Sequence, residues 1–323
     1  ILIMSSKQLR QRWKEEYCKE WFQFILDNPQ IHLDYNYLTR NPNITIDIVQ
    51  NNPDKKWCYK WLSENPNITW DIVKNNPQIR WSYIGLSQNP NITWEIIQNN
   101  PEQKWEYSSV SRNPNITWEI VQNNPDKPWD YYSGLSFNPN ITWEIIQNNP
   151  QIKRKWNYKY LSFHPNITWE IVKNNPNKNW NYSYLSINPN ITWDIIQNNP
   201  QIKWSYYCLS YNPNITWEII KNNPEKPWNY CILSRNSNIT WEIVQNNPQI
   251  PWDYGTLSRN TNITWEIILN NPQIKWNYRA LSYNRMTKGF NDYMEKKEEL
   301  YNTAYKIIDR YTNRDIAEMI MSI

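Results

Sequence analysis

The sequence predicts an all-α fold, an elongated α-solenoid of repeats of about 24 residues, each built from two short helices. The first observation is a motif that reads Asn-Pro-Asn-Ile-Thr-Trp-Glu-Ile-Ile-Gln-Asn-Asn-Pro at residues 89–101 and starts at ten places between Asn41 and Asn260. A fixed period of this length is typical of stacked arrays. The second observation is that each apolar stretch covers only about two helical turns, too short to be stable without neighbours.

Residues 1–26 are predicted to form an N-terminal capping helix. Leu9, Trp13, Tyr17 and Trp21 return at helical spacing and form one apolar stripe with a charged back. A terminal element with one apolar side is what the exposed end of a stack requires.

Residues 27–284 are predicted to form about ten two-helix units. The first helix follows a threonine such as Thr93, a good N-cap, and Glu95 complements the helix dipole while Pro101 ends the helix. The second helix carries the pattern Trp-x-Tyr-x-x-Leu-Ser. It is expected to start at its tryptophan, as at Trp81, because proline precedes that tryptophan in three units.

Nineteen tryptophans occupy fixed positions in the repeats, nine at the first helices and ten at the second. Placement in both helices favours packing between units over a role as stacking platforms for bases or sugars. The ten Asn-Ile-Thr triplets match glycosylation acceptors. They are interpreted as turns and caps, because the threonine is already the predicted N-cap.

Residues 285–323 no longer follow the repeat. Phe290, Tyr293, Met294 and Tyr301 fit one long amphipathic helix, and a short helix is expected from Asp315. These two helices are predicted to cap the C-terminal end.

Composition argues against several functions. The net charge is +4, without blocks of Lys or Arg, so nucleic-acid binding is not expected. No apolar run is long enough for a membrane helix. Four cysteines lack metal-ligand spacing, two histidines lie in unrelated contexts and four glycines are isolated, so no catalytic, cofactor or metal site is predicted and the chain is not expected to be an enzyme. Such cysteines suit a reducing, cytoplasmic compartment.

One stretch of the repeats varies in an ordered way. The residue after Leu-Ser is apolar in four consecutive units between two arginines, and the residue before that leucine also becomes largely aromatic or apolar there. The candidate partner-binding residues are therefore Arg112, Phe137, Tyr160, Phe163, Tyr184, Ile187, Tyr211 and Arg235. An apolar patch rimmed by arginine is typical of a protein-binding surface, although a locally thicker core fits the composition equally well.

The two-helix unit and the Asn-Pro-Asn turn between Asn41 and Tyr283 resemble the leucine-rich variant repeat, which implies a right-handed solenoid of alternating α and 3₁₀ helices. Ile and Trp stand where that family prefers Leu, Val and Ala, so the resemblance covers period and turn. The full motif also resembles tandem repeats of uncharacterised proteins in giant viruses of the mimivirus group. That resemblance implies a setting in the host cytoplasm, a viral factory or the virion, and no activity.

Three functions are consistent with the sequence. The favoured hypothesis is a non-catalytic scaffold or adaptor that binds another protein through the solenoid surface. The alternative is a structural component of a virion or filament that self-assembles. A third hypothesis is single-stranded nucleic-acid binding, which the irregular mixture of apolar and polar residues at the variable positions disfavours.

Overall fold

The computed structural model describes residues 6–310, and every regular element in this range is a helix. The predicted all-α solenoid of tandem repeats is confirmed. The chain divides into two compact units: His32–Arg285 forms one, and the two chain ends, up to Ile31 and from Met286, form the other.

Ten first helices begin directly after a threonine, as predicted. Thr93 Oγ1 accepts a hydrogen bond from the Ile96 N–H at 3.3 Å, Glu95 lies in the first turn, and the helix ends at Asn99. Asn100 then leaves the helical conformation and donates Nδ2 to Ile96 O at 2.7 Å. The first helices are Ile46–Asn51, Trp70–Asn75, Trp94–Asn99, Trp118–Asn123, Trp143–Asn148, Trp169–Asn174, Trp193–Gln197, Trp217–Asn222, Trp241–Asn246 and Trp265–Asn270.

The second helices begin at the tyrosine in most units, two residues later than the sequence predicts. In the unit of Trp81, Ser82 has an extended backbone and its Oγ accepts a hydrogen bond from the Gly85 N–H at 3.4 Å. The start predicted at the tryptophan is wrong because the residue after it, usually Ser, Asn or Asp, is the stronger N-cap.

Eleven second helices lie within His32–Arg285. They are Tyr35–Leu38, Tyr59–Leu62, Tyr83–Gln88, Tyr107–Val110, Leu135–Phe137, Tyr158–Leu161, Tyr182–Ile187, Tyr206–Leu209, Tyr230–Leu233, Tyr254–Leu257 and Tyr278–Tyr283. Leu135–Phe137 is a 3₁₀ helix and the other ten are α-helical. The α/3₁₀ alternation of the leucine-rich variant repeat is therefore not seen in these residues.

Tryptophan rings fill the space between successive units, as predicted. The centroid of the Trp129 ring lies 5.4 Å from that of Trp94 and 5.5 Å from that of Tyr107, both in the preceding unit. Trp129 is buried, and its Nε1 donates to Asn124 O at 2.8 Å. Because these rings pack against one another and even the first-helix tryptophans such as Trp94 are half-buried, the stacking-platform alternative is less well supported.

Two buried polar side chains join each unit to its neighbours. Asn113, the leading residue of its motif, is fully buried, and its Nδ2 donates to the carbonyl oxygens of Ser87 and Asn89, both at 3.0 Å. The buried Ser111 hydroxyl accepts a hydrogen bond from the Asp130 N–H of the next unit at 3.0 Å. Equivalent residues repeat both bonds along the array, so main-chain groups that would otherwise be buried without partners are satisfied.

Both rows of hydrogen bonds close on themselves. Asn41 of the first unit donates Nδ2 to Asn284 O at 2.8 Å and to Ser282 O at 3.4 Å, the same pair of acceptor positions that leading asparagines use in the other units. The Asp34 N–H donates to Ser282 Oγ at 2.9 Å. The repeats of His32–Arg285 are therefore a closed array, whereas the sequence predicts an elongated one.

The two helical layers differ in spacing, which explains the closure. Neighbouring second helices contact each other directly, as Tyr83–Gln88 contacts Tyr107–Val110, whereas neighbouring first helices contact each other less. A stack with one wide and one narrow layer curves toward the narrow layer. The ten two-helix units and the additional second helix Tyr35–Leu38 complete a turn in eleven steps, a rotation of about 33° per step, with the second helices on the inner side.

Two successive repeats are longer than 24 residues, and their extra residues are accommodated locally. The extra residue near Tyr132 accompanies the shortened second helix Leu135–Phe137, and the two extra residues near Arg154 lie in the 3₁₀ helix Pro150–Lys155. This insertion separates Trp156 from the carbonyl that other tryptophans bond, and Trp156 Nε1 is buried without a hydrogen-bond partner. The fold therefore continues past both insertions, with unsatisfied polar atoms at Trp156 Nε1 and at the nearby Tyr158 Oη.

The unit formed by the chain ends contains two long helices, Ser6–Asp27 and Thr287–Arg310, which pack against each other. Lys297 Nζ lies 3.0 Å from Glu16 Oε2, and this contact lowers the pKa of the Glu16 carboxyl and raises that of the Lys297 ammonium. Both pKa directions favour the charged pair that joins the helices.

The predicted terminal segments, residues 1–26 and 285–323, are helical over most of their described parts. The short helix expected from Asp315 lies outside the described residues. The boundaries predicted for the repeats, 27–284, and the capping role of both ends stay predictions.

Candidate partner-binding surface

The sequence places its candidate site on the solvent-facing side of the second helices. The leucine of each helix and the following serine point to the interior, and both are fully buried, as at Leu161 and Ser162. A helix turns by about 100° per residue, so the residue after that serine points the other way, whereas the residue before that leucine lies at the edge of the face: it is half-buried at Tyr160 and Tyr184 and buried at Gly85 and Ile232. We call this side of the eleven second helices the second-helix face.

The candidate residues lie at the surface of the array. Phe137 and Phe163 are 37% and 42% exposed, and Arg112 and Arg235 are also exposed. The half-buried members are Tyr160, Tyr184, Ile187 and Tyr211. Core residues would be as buried as the neighbouring leucines, so a thicker core does not account for this row.

One end of the row is an aromatic cluster, formed by Arg112, Tyr132, Phe137 and Tyr160. The Phe137 ring centroid lies 4.4 Å from that of Tyr160, and Tyr132 packs edge-on to Tyr160 at 6.2 Å. The guanidinium of Arg112 lies 5.4 Å from the centre of the Phe137 ring, and its Nε donates to Ser133 O at 2.8 Å. This hydrogen bond favours the position of the cation over the ring.

The rest of the row also pairs cations with rings. Lys159 Nζ lies 5.4 Å from the centre of the Tyr184 ring, and the Arg235 guanidinium lies 5.9 Å from the centre of the Tyr211 ring. The structure thus brings several candidate residues together in pairs between neighbouring units and spreads them along the face.

Two aromatic residues of this surface are absent from the sequence-based candidates. Tyr132 is 61% exposed and joins the aromatic cluster, and Tyr207 is 55% exposed on the next-but-one unit after Phe163. Tyr207 lies two residues before the leucine of its helix, a position that also faces away from the core. A comparison, between units, of the residue two positions before the leucine would have identified Tyr207.

His164 occupies the first position of its repeat motif, where the other units have asparagine, and its side chain is buried. The residue is 3% exposed; its Nε2 donates to Asn138 O at 2.8 Å, and its Nδ1 accepts from the Asn166 N–H at 3.2 Å. These partners select the neutral ring with its proton on Nε2, because a second proton on Nδ1 would face an N–H group. Burial lowers the pKa of His164, and the hydrogen bond to Asn138 only partly opposes this effect.

Acidification is expected to destabilise the array through His164. The pKa is lower in the folded chain than in the unfolded chain, so stability is fully present above about pH 6.5 and is lost as the pH falls toward the folded pKa. His164→Asn restores the residue of the other units and should remove this part of the pH dependence of stability. Denaturant unfolding of both proteins at about pH 7.5 and about pH 5.5 measures it. An identical pH dependence of the two proteins would contradict the assignment.

The Asn-Ile-Thr triplets serve as turns and caps. Asn115 Nδ2 donates to Pro90 O at 2.7 Å and to Ile92 O at 3.0 Å, and Thr117 Oγ1 accepts from the Ile120 N–H at 3.3 Å. A glycan on Asn115 would replace a hydrogen of this doubly bonded amide. The structural interpretation of the triplets is therefore supported.

No helix among residues 6–310 combines the length and the apolar character needed to cross a bilayer. In the same part of the chain, His, Cys, Asp and Glu side chains form no group of three that could bind a metal ion. Comparison of the chain with models of known families, with curated proteins and with solved structures found no match. What the chain does must therefore be inferred from its own residues.

Proposed function

We propose that this chain is a non-catalytic scaffold or adaptor that binds another protein through the second-helix face, in the units between Arg112 and Arg235. The observation that supports this proposal is the exposure of Phe137 and Phe163 within a row of half-buried apolar residues. Aromatic residues and arginine are enriched among the residues that contribute most to protein–protein affinity.

The array holds these side chains on a fixed backbone. Phe163 stands between two buried residues, each bonded to a neighbouring unit: Ser162 Oγ accepts from the Asn181 N–H at 2.8 Å, and His164 Nε2 donates to Asn138 O at 2.8 Å. Little backbone freedom then remains to be lost on binding, which favours affinity.

Self-assembly into a virion or filament is supported less well. End-to-end packing needs free ends, but the first and last second helices, Tyr35–Leu38 and Tyr278–Tyr283, contact each other. The setting implied by the giant-virus resemblance, in the host cytoplasm, a viral factory or the virion, is part of the proposal. Infected or expressing cells are therefore where the partner should be sought.

Phe163→Glu is expected to abolish partner recovery and to change the free energy of unfolding by no more than about 1 kcal/mol, because the side chain lies at the surface of the array and is 42% exposed. The measurement is quantitative co-purification with the tagged chain from those cells, together with thermal melting of the purified variant. Gln88→Glu is the matched control, since Gln88 occupies the same repeat position outside the row.

The control should recover the same partner as the unmodified chain. If Phe163→Glu melts normally and still recovers that partner, the row is not the binding surface. A large loss of stability would place Phe163 in the core and would also overturn the proposal.

A further inference from the structure

The charges of the second-helix face differ in sign from those of the other layer. Five arginines at its exposed positions each lie over an aromatic ring of the same face, with guanidinium-to-centroid distances between 4.1 and 5.9 Å. These are Arg40, Arg112, Arg235, Arg259 and Arg279. Lys60 and Lys159 are exposed on the same face.

Acidic side chains are scarce there. Glu64 occupies the position after Leu-Ser and is paired with Arg40 at 3.0 Å. Carboxylates such as Glu106 and Asp130 stand at the starts of second helices, where they accept hydrogen bonds from backbone N–H groups and have lowered pKa values. The face therefore carries a clear excess of positive charge.

The first helices show the opposite pattern. Each of the ten carries an Asp or Glu in its first turn, such as Glu95, and these carboxylates are exposed. Lysines accompany them in three of the ten helices. Within the helices of His32–Arg285 the charges thus separate by layer, with the positive charge on the side that also exposes aromatic rings, while further basic side chains such as Lys104 lie in the loops between first and second helices.

We infer that the second-helix face binds an extended acidic segment of the partner protein, with apolar side chains that contact the row from Phe137 to Tyr211. This inference rests on the proposed function. Arg112 and Arg235 stand at the two ends of the row, so acidic residues on both sides of an apolar centre complement it. Packed helices lie about 8–10 Å apart, so the five steps from Arg112 to Arg235 span roughly 45 Å, or about 13 residues of extended chain.

Single-stranded nucleic acid fits this surface less well. Its evenly spaced phosphates require a continuous basic track beside the stacking rings. Here four consecutive positions, from Phe137 to Tyr211, are apolar, and the arginine guanidinium groups already cover rings that bases would need. An acidic peptide with apolar anchors can contact both the four apolar positions and the arginine guanidinium groups.

The test uses the full chain and three fluorescein-labelled probes. The first is a peptide of about 13 residues with Glu on both sides of a centre of Leu and Phe, the second has Lys in place of Glu, and the third is oligodeoxythymidine of similar length. We expect saturable binding of the acidic peptide that weakens in about 0.5 M salt. Arg112→Glu combined with Arg235→Glu should weaken it by about tenfold or more.

Arg80→Glu combined with Lys104→Glu is the matched control, because both residues are exposed outside the second-helix face. These changes should alter affinity by less than about threefold. Arg112→Gln combined with Arg235→Gln, with thermal melting, separates loss of charge from loss of folding. Equal or tighter binding of the lysine peptide or of oligodeoxythymidine would overturn the inference, as would binding that survives the double arginine reversal.

The same variants separate this inference from the proposed function. A cellular partner that Phe163→Glu releases but the double arginine reversal retains would leave the adaptor function standing and refute the acidic segment. Retention of the partner by Phe163→Glu would refute the proposed binding row itself.

Discussion

Asn113→Ala is expected to lower the free energy of unfolding by about 3 kcal/mol or more. The Asn113 side chain is fully buried, its Nδ2 lies 3.0 Å from the carbonyl oxygens of Ser87 and Asn89, and its Oδ1 accepts from the Asn115 N–H at 2.9 Å. Alanine would remove the donor to Ser87 O and the acceptor of the Asn115 N–H, at about 1–3 kcal/mol each, while Asn89 O would keep the Ile92 N–H as a donor. Denaturant unfolding followed by circular dichroism measures the loss.

Asn41→Ala tests the closure with the same chemistry. In the closed array Asn41 makes the bonds of an internal unit, so its replacement should be about as costly as Asn113→Ala. Asn123, exposed at the end of a first helix, is the control, and Asn123→Ala should change stability by less than about 0.5 kcal/mol. A costly Asn113→Ala beside a neutral Asn41→Ala would show that the array is open in solution.

Trp129→Ala should destabilise the chain by about 3–5 kcal/mol, because a large buried ring is removed from between two units. Its contacts with Trp94 and Tyr107 and its bond to Asn124 O disappear together. The stability of Trp129→Phe should lie between that of the unmodified chain and that of Trp129→Ala, because phenylalanine keeps a ring but lacks the Nε1–H donor. Thermal and denaturant unfolding of the three proteins provide the comparison, and a near-neutral Trp129→Ala would mean that the rings do not hold the units together.

The repeat unit could be predicted from the sequence because its signals act over a few residues. Thr93 caps the helix that follows it, and Asn100 bonds the carbonyl one turn before it. The proline before the tryptophan in three units predicts a start of the second helix two residues too early, because the residue after that tryptophan, such as Ser82, is the stronger N-cap. Both results depend on local backbone chemistry.

Closure could not be predicted in the same way. It depends on a rotation of about 33° per step, and an error of a few degrees repeated over eleven steps would leave the ends apart. The bonds from Asn41 to Asn284 join residues at opposite ends of the array, so no short window of sequence contains them. The candidate row could be predicted because its residues share one repeat position, but the exposure of Phe163 depends on packing that composition does not specify.

A closed array constrains how the gene can evolve. Recombination between near-identical repeats readily adds or removes copies, and an open stack tolerates such changes because each unit contacts only its neighbours. Here the bond from Asn41 to Asn284 forms only if the copies between them complete one full turn. Loss or gain of a single copy would separate these residues or force every interface to bend. Selection on this chain therefore acts on the number of copies as well as on the residues within each copy.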